Sequence, residues 1–337
     1  MSSGIVVSIG SGLVDSVYGN CQVPIKSYLI KRAEAFEQQS VLMKLFREEN
    51  STHWAEGYGG ETAMDSFVPV GEGGSYPATD FQESFMQNIV NETWKQSFDV
   101  TQELVEDGKL STMKNRANKL IASYHRTREQ FGRMLYAGAL FGPTMTFSGK
   151  KFKTTSADGK NLFATDHPGK VKKDAQTNLY AGEFTAANLD AVETEMQNVK
   201  GDNGELLAIV PDTILIPNNA KLKRQVFEVI GADKDPETSN NGFNYQFGRW
   251  NVICDPYLTW ALAQMGKKDA APWILLDSNF IQENDGAIFQ NRVKLHVQSE
   301  IDKNNDNNKW KGRARFSGGF VDWRFAAAGG MEGGTAL

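Results

Sequence analysis

The sequence predicts an α+β chain. A 3.6-residue apolar period runs from Met113 to Gly138, and short β-branched runs alternate with further helical stretches downstream. A glycine-rich segment from Phe67 to Val105 fits neither a helix nor a compact loop. The chain has 337 residues, 40% hydrophobic and 23% charged, which is ordinary globular composition and enough to bury a sizeable core.

Residues 1–23 are rich in Gly, Ser and Val without a period and read as an extended arm. From Pro24 to Asn50, the residues Tyr28, Leu29, Ala33, Phe36, Leu42 and Leu45 fall near helical spacing and predict one or two helices. In the next segment Gly71, Gly73, Gly74 and Pro77 disfavour helix, and "QNIVNETWKQSFDVT" alternates loosely, as strands do. Phe67–Val105 therefore reads as a long excursion of extended arms joined by glycine turns. An isolated hairpin is marginal in water. Its aromatics, Phe67, Tyr76, Phe81, Phe85, Trp94 and Phe98, need a second surface, on their own domain or on another subunit.

The strongest helix signal spans Leu110 to Leu140, with Ser111 as a plausible N-cap and Gly142-Pro143 as the stop. About 30 residues at 1.5 Å each give roughly 45 Å. Its exposed face is expected to carry Lys114, Arg116, Lys119, Arg126, Arg128 and Arg133. Thr185–Val199 reads as a helix, Glu205–Pro217 as a strand buried on both faces, and "NNAKLKRQVFEVIG" as a helix capped by Asn218 or Asn219. "RWNVICDPYL", "APWILLDS", "RVKLHVQSEI" and "WKGRARFSGGFVDWRF" are four more strand candidates. The tail "AAAGGMEGGTAL" is expected to be mobile at its end.

Composition excludes several classes. No run of 18 apolar residues predicts a membrane span, and the N-terminus lacks the features of a secretory signal. Two distant cysteines, Cys21 and Cys254, argue for a reducing compartment. Between Lys109 and Asp174 there are fourteen Lys or Arg against four acids, inside a chain of net charge −5. Such a basic block can touch nucleic acid, or can dock on the acidic part of a neighbouring copy; the acidic whole favours the second.

Chemistry is sparse. None of the four histidines pairs with another at metal spacing. Asp166 and His167 stand side by side in "LFATDHPGK", but no G-x-S-x-G supplies a nucleophile, and adjacent residues in an extended loop point apart. No Walker or G-x-G-x-x-G motif occurs. In "DKNNDNN", Asp302, Asn304 and Asp306 mimic the start of a calcium loop, yet Asn307 stands where glycine is wanted and Arg313 where the bidentate glutamate belongs. A polar hairpin turn is expected there. No catalytic, cofactor or metal residue is assigned.

Several stretches in order, "FVPVGEGGSYPATDFQES", "TWKQSFDVTQELVEDGK", "LFATDHP", "IVPDTILIP" with "CDPYLT", and "GRARFSGGFVDWR", resemble major capsid proteins of tailed bacteriophages. The similarity is to the Mu-like major head subunit group and covers roughly residues 20 to 327. It implies the fold named for phage Hong Kong 97: an N-terminal arm (1–50), an extended loop (51–108), a peripheral domain with a spine helix (109–184), an axial domain (185–291), and return strands with the tail (292–337). It implies hexamers and pentamers in an icosahedral virion shell around double-stranded DNA, built in the cytoplasm of a bacterial host. The resemblance makes "LFATDHP" architecture rather than chemistry. Expected partners are further copies, a portal, a decoration protein and non-specific contact with packaged DNA. The short arm after Met1 leads to the expectation of a separate scaffolding protein, and no lysine–asparagine cross-link pair is identified. The alternatives are a nanocompartment shell and, from another class, a hydrolase using Asp166 and His167.

Overall fold

The computed structural model describes residues 6–7, 35–36, 40–61, 67–76, 78, 83–107, 110–231, 243–302 and 307–337. Most of the predicted arm, together with Cys21 and Phe81, lies outside the described residues.

The long helix runs from Leu110 to Phe141, within a residue of the span its period predicts. Its first half buries one stripe, Met113, Ala117, Leu120 and Ile121, against the sheet below. Its second half is different: every residue from 131 to 140 is buried. The helix there is enclosed on all sides, with the helix Pro256–Gln264 and the strand Thr144–Phe147 packed against it. Gly138 permits that approach, because a Cβ would stand 2.6 Å from Met145 Cβ. Ser111 is not the cap, since the helix has already begun at Leu110.

The helix packs on a five-stranded sheet. Glu92–Val100 pairs antiparallel with Asn308–Phe320, which pairs antiparallel with Ala287–Ile301. Val6–Val7 and Arg47–Asn50 both add to Ala287–Ile301 in parallel. Ile301 faces Asn308, and the Asp302 N–H donates to the Asn307 carbonyl at 2.9 Å; residues 303–306, where a polar hairpin turn is expected, lie outside the described residues. Two register shifts, between Asn291 and Val293 and between Val293 and His296, let the longest strand bend over the helix.

A second sheet has four strands in the order Asn251–Asp255, Thr213–Pro217, Trp273–Leu276, Ala326–Gly329. Thr213–Pro217 is buried throughout, as a strand covered on both faces should be. The strand begins later than the expected Glu205. Ala208 takes φ of 51° and Leu206 and Val210 are exposed, so the apolar run before Asp212 does not join the sheet. Four helices attach to this sheet, each with a side-chain cap: Thr185 before Ala186–Gln197, Asn219 before Ala220–Ile230, Asp255 before Pro256–Gln264, and Asp277 before Ser278–Glu283.

The tail departs from expectation. Ala326–Gly329 is a buried strand antiparallel to Trp273–Leu276, and Thr335 N–H donates to the Leu179 carbonyl at 2.8 Å. Small residues are required there because the strand lies on Trp273: a Cβ at Gly329 would stand 2.1 Å from the indole. The last strand thus closes the second sheet rather than returning to the first.

The glycine-rich excursion is partly a hairpin. Among the described residues Ala55–Glu61 pairs with Glu83–Val90 alone, Ala55 opposite Val90 and Tyr58 opposite Gln87. Glu92–Val100, expected to belong to the extended loop, is instead an edge strand of the five-stranded sheet, and Gln102–Glu106 is a short helix. Over Pro24–Asn50, where one or two helices are expected, the described residues show helical Ala35 and Phe36 and a short helix Leu42–Leu45, followed directly by the strand Arg47–Asn50.

Candidate functional site

The Asp166–His167 pair does not form a dyad. Asp166 is exposed and pairs with Lys160. His167 is fully buried; its Nδ1 lies 2.6 Å from Asp158, its Nε2 3.2 Å from Asn178 Oδ1, and its ring stacks on Trp323 at 4.2 Å. Burial alone would raise the Asp158 pKa, but hydrogen bonds from His167, Ser156 and the Lys160 N–H outweigh it and hold the carboxyl below its usual range. Both imidazole nitrogens are occupied, and no substrate atom can reach the ring. The hydrolase reading is therefore set aside. The motif fastens one loop to the end of the chain: "LFATDHP" meets "VDWR" through the His167–Trp323 stack.

The neighbouring Arg324 continues this clasp. It pairs with Asp202 at 2.8 Å and Asp322 at 3.0 Å. Asp202 also accepts from Ser84 Oγ at 2.7 Å, on the returning strand of the hairpin. Burial opposes ionisation of Asp202, and Arg324 with these hydrogen bonds lowers its pKa in net. Gln87 adds a bond from its side-chain amide to the Thr155 carbonyl, and Tyr58 donates to Gln290. The paired strands of the hairpin are thus anchored to the body along their length.

Its far end is bare. Phe67 and Tyr76 are as exposed as in an isolated peptide, 105% and 98%, and Val68 and Val70 are more than half exposed. Large apolar side chains left in water together mark a surface that another molecule covers. Phe85 is different, being half-buried with Lys170 over its ring at 4.7 Å.

Trp94 and Phe98 follow the first of the two expected courses and pack on their own domain. Trp94 belongs to an aromatic cluster with Phe131, Phe147, Phe152 and Phe316, and its indole N–H donates to the Phe316 carbonyl at 3.1 Å. Phe98 stacks on Trp310. Both are half-buried against their own subunit, because the strand that carries them is a sheet strand and not a free arm.

The arginines divide in the same way. Arg126 is exposed. Arg128 is buried beside Glu48 at 2.8 Å and over the Phe289 ring. Arg133 is 1% exposed, pairing with Glu129 one turn earlier and with Asp255 on the second sheet. Neither Arg128 nor Arg133 lies on a solvated face, because the segment around Arg133 is enclosed and its partner is 122 residues away in sequence. Asp255 accepts from both Arg133 and the Tyr257 N–H, so it caps one helix while tying it to the long one.

From the sequence, His125, mid-helix beside Arg126, reads as a surface or interface residue. It is 7% exposed and stacks on Phe36 at 5.1 Å. Burial first, and then the charge of Arg128, push its pKa down to about 4. The unfolded chain takes up this proton near pH 6.5, the folded chain only near 4. Stability from this group is therefore present above that window and is lost as pH falls through it. Urea titration of unassembled subunits should show a loss of up to about 3 kcal/mol between these limits. His125→Phe, which keeps the ring stack, should flatten that slope.

Among the described residues the geometry is one of a fastened body with an exposed apolar segment, Phe67–Tyr76. A family model described as phage capsid protein matches residues 88–329. The chain belongs to the phage capsid protein family. Among solved structures, this capsid protein is similar to a chain of Mycobacterium phage Patience at 11% identity and a TM-score of 0.51, covering 100% of this chain and 95% of that one. It is also similar to a chain of Microbacterium phage Oxtober96, at 12% identity, TM-score 0.48, covering 87% and 88%. A third is from the procapsid of bacteriophage JBD30, at 15% identity, TM-score 0.46, covering 91% and 73%. No curated protein matches the chain. The capsid protein has the Hong Kong 97-type α+β fold, and its function is structural, as a major subunit of a phage shell.

Proposed function

We propose that this capsid protein forms hexamers and pentamers that close into an icosahedral shell around double-stranded DNA. The observation that carries this is the hairpin segment Phe67–Tyr76, in which Phe67 and Tyr76 stand fully in water. The body covers its own core, so that segment has to be covered by something else, and sibling copies are always present in a shell. Arg126 and Lys119, exposed on the long helix, add a charged surface that suits the acidic remainder of a neighbour. Many modest contacts per subunit act together once the lattice closes. The mild net charge of −5 keeps contact with packaged DNA non-specific and weak.

The same reading assigns a separate scaffolding protein, a portal and a decoration protein as partners, and assembly in the bacterial cytoplasm before release in the virion. Electron microscopy of the purified protein, co-expressed with its scaffold, should show closed particles with five-fold and six-fold clusters. Material that stays monomeric at high concentration with scaffold supplied would refute the reading.

A further inference from the structure

The long helix covers one face of the five-stranded sheet, and the other face is polar. Along Asn308–Phe320 the two faces alternate. Trp310 and Ala314 are buried and Gly312 lies against Leu120 of the helix, whereas Lys309, Lys311, Arg313 and Arg315 turn the other way. Cations therefore recur at every second residue of one strand, about 7 Å apart. Across the sheet Arg313 stands opposite Lys95 on one side and His296 on the other. Lys294 is exposed in the bulge of the neighbouring strand.

Like charges placed directly opposite each other destabilise a sheet. Two acids share this face: Glu300 pairs with Lys311, and Asp99 lies opposite Lys309. Among the described residues no carboxylate pairs with Lys95, Lys294 or Arg313. Protection from edge-to-edge aggregation does not account for the row. Charges serve that purpose on an outermost strand, and Asn308–Phe320 lies between two others. The repulsion is relieved when an anion covers the face.

The residues between the cations select the kind of anion. A protein partner needs buried apolar or aromatic anchors at the centre of its contact. None of the exposed large apolar side chains stands on this face, whose remaining places hold Thr93, Ser97 and Gln298. Exposed aromatics, on which the bases of a single strand stack, are missing for the same reason. Regularly spaced Lys and Arg with hydroxyls between them suit the phosphates of a duplex, and such contacts read no sequence. We propose that this sheet face is where the subunit touches packaged duplex DNA, through Lys95, Lys294, Lys311 and Arg313. The inference rests on the shell reading above. It moves the DNA contact away from the basic block Lys109–Asp174 and onto strands from both ends of the chain.

The test is a salt titration of unassembled subunits binding a fluorescent mixed-sequence duplex, followed by anisotropy. The affinity should fall with salt, and a joint Lys95→Gln, Lys294→Gln and Arg313→Gln variant should flatten the log–log slope by about 2.7, three lost phosphate contacts. Lys95→Gln alone should flatten it by about 0.9, which keeps the test open if the triple variant folds poorly. Lys119→Gln with Arg126→Gln on the long helix should leave the slope unchanged. An unaltered slope in the triple variant, or an equal loss in the helix variant, would overturn the assignment. So would polyglutamate that binds as tightly as the duplex, which would give the face to an acidic protein. Microscopy separates this inference from the one beneath it. Closed particles from the natural chain together with an unaltered slope sink the DNA face alone. If the natural chain forms no particles, the shell reading has failed first, and the face has no packaged DNA to meet.

Discussion

Replacing Phe67–Tyr76 by a Gly-Ser run of equal length leaves a folded subunit that no longer closes into particles. The exchanged residues make no part of either sheet, and the hairpin strands on both sides keep their own pairing. Phe67, Val68, Val70 and Tyr76 together would bury side chains worth about 1.5–3 kcal/mol each when covered. Ordering the extension offsets part of that gain. Even half of it, about 3–6 kcal/mol per contact, corresponds to two to four powers of ten in association. Sedimentation should find the variant unassembled at concentrations where the natural chain forms shells, with an unchanged urea midpoint for the free subunit. Particles of normal size would show that the hairpin end is dispensable. The exchange must stop short of Trp94: a deletion through Phe98 would remove an edge strand and part of the core, and its failure to assemble would say nothing about the hairpin.

Trp94→Ala separates the two kinds of aromatic in that segment. The indole stacks on Phe316 at 5.0 Å and meets Phe131 at 5.7 Å edge-on, and its N–H donates to the Phe316 carbonyl. Truncation leaves a cavity among four phenylalanine rings and an unpaired carbonyl. Large-to-small changes of this kind cost about 3–5 kcal/mol. Chemical denaturation of the free subunit should show that loss, whereas Phe67→Ala should leave the free subunit within about 0.5 kcal/mol and weaken only assembly. An equally stable Trp94→Ala subunit with defective assembly would restore Trp94 to the contact surface.

The two residues look alike in the sequence, each an aromatic in a glycine-rich or alternating stretch. Alternation marks a strand but does not say which strand will lie beside it. Partner choice is non-local, and Thr93 meets Arg315 across more than two hundred residues. The arginines teach the same lesson. Helical period places Arg126 and Arg133 nearly two turns apart on one wall, and both look solvated as long as only one helix is considered. Asp255 and the surrounding body, brought in by the second sheet, bury Arg133 and leave Arg126 in water. His125 reads as a surface or interface residue in the sequence because nothing local marks a histidine that Phe36 will cover.

What the residues settled unaided is local. The long helix and its stop, the helices that begin near Thr185 and Asn219, and a buried strand ending at Pro217 follow from period, capping chemistry and turn residues, all of which act within a few positions. The ordered motifs also carried the family. Tertiary structure alone decided which polar and aromatic groups are enclosed: His167 under Trp323, Arg133 on Asp255, the alanine tail under Trp273, and Phe67 left outside. Enclosure depends on what the chain brings back from far away, and burial is a property of the assembled layers, so no short window of sequence contains it.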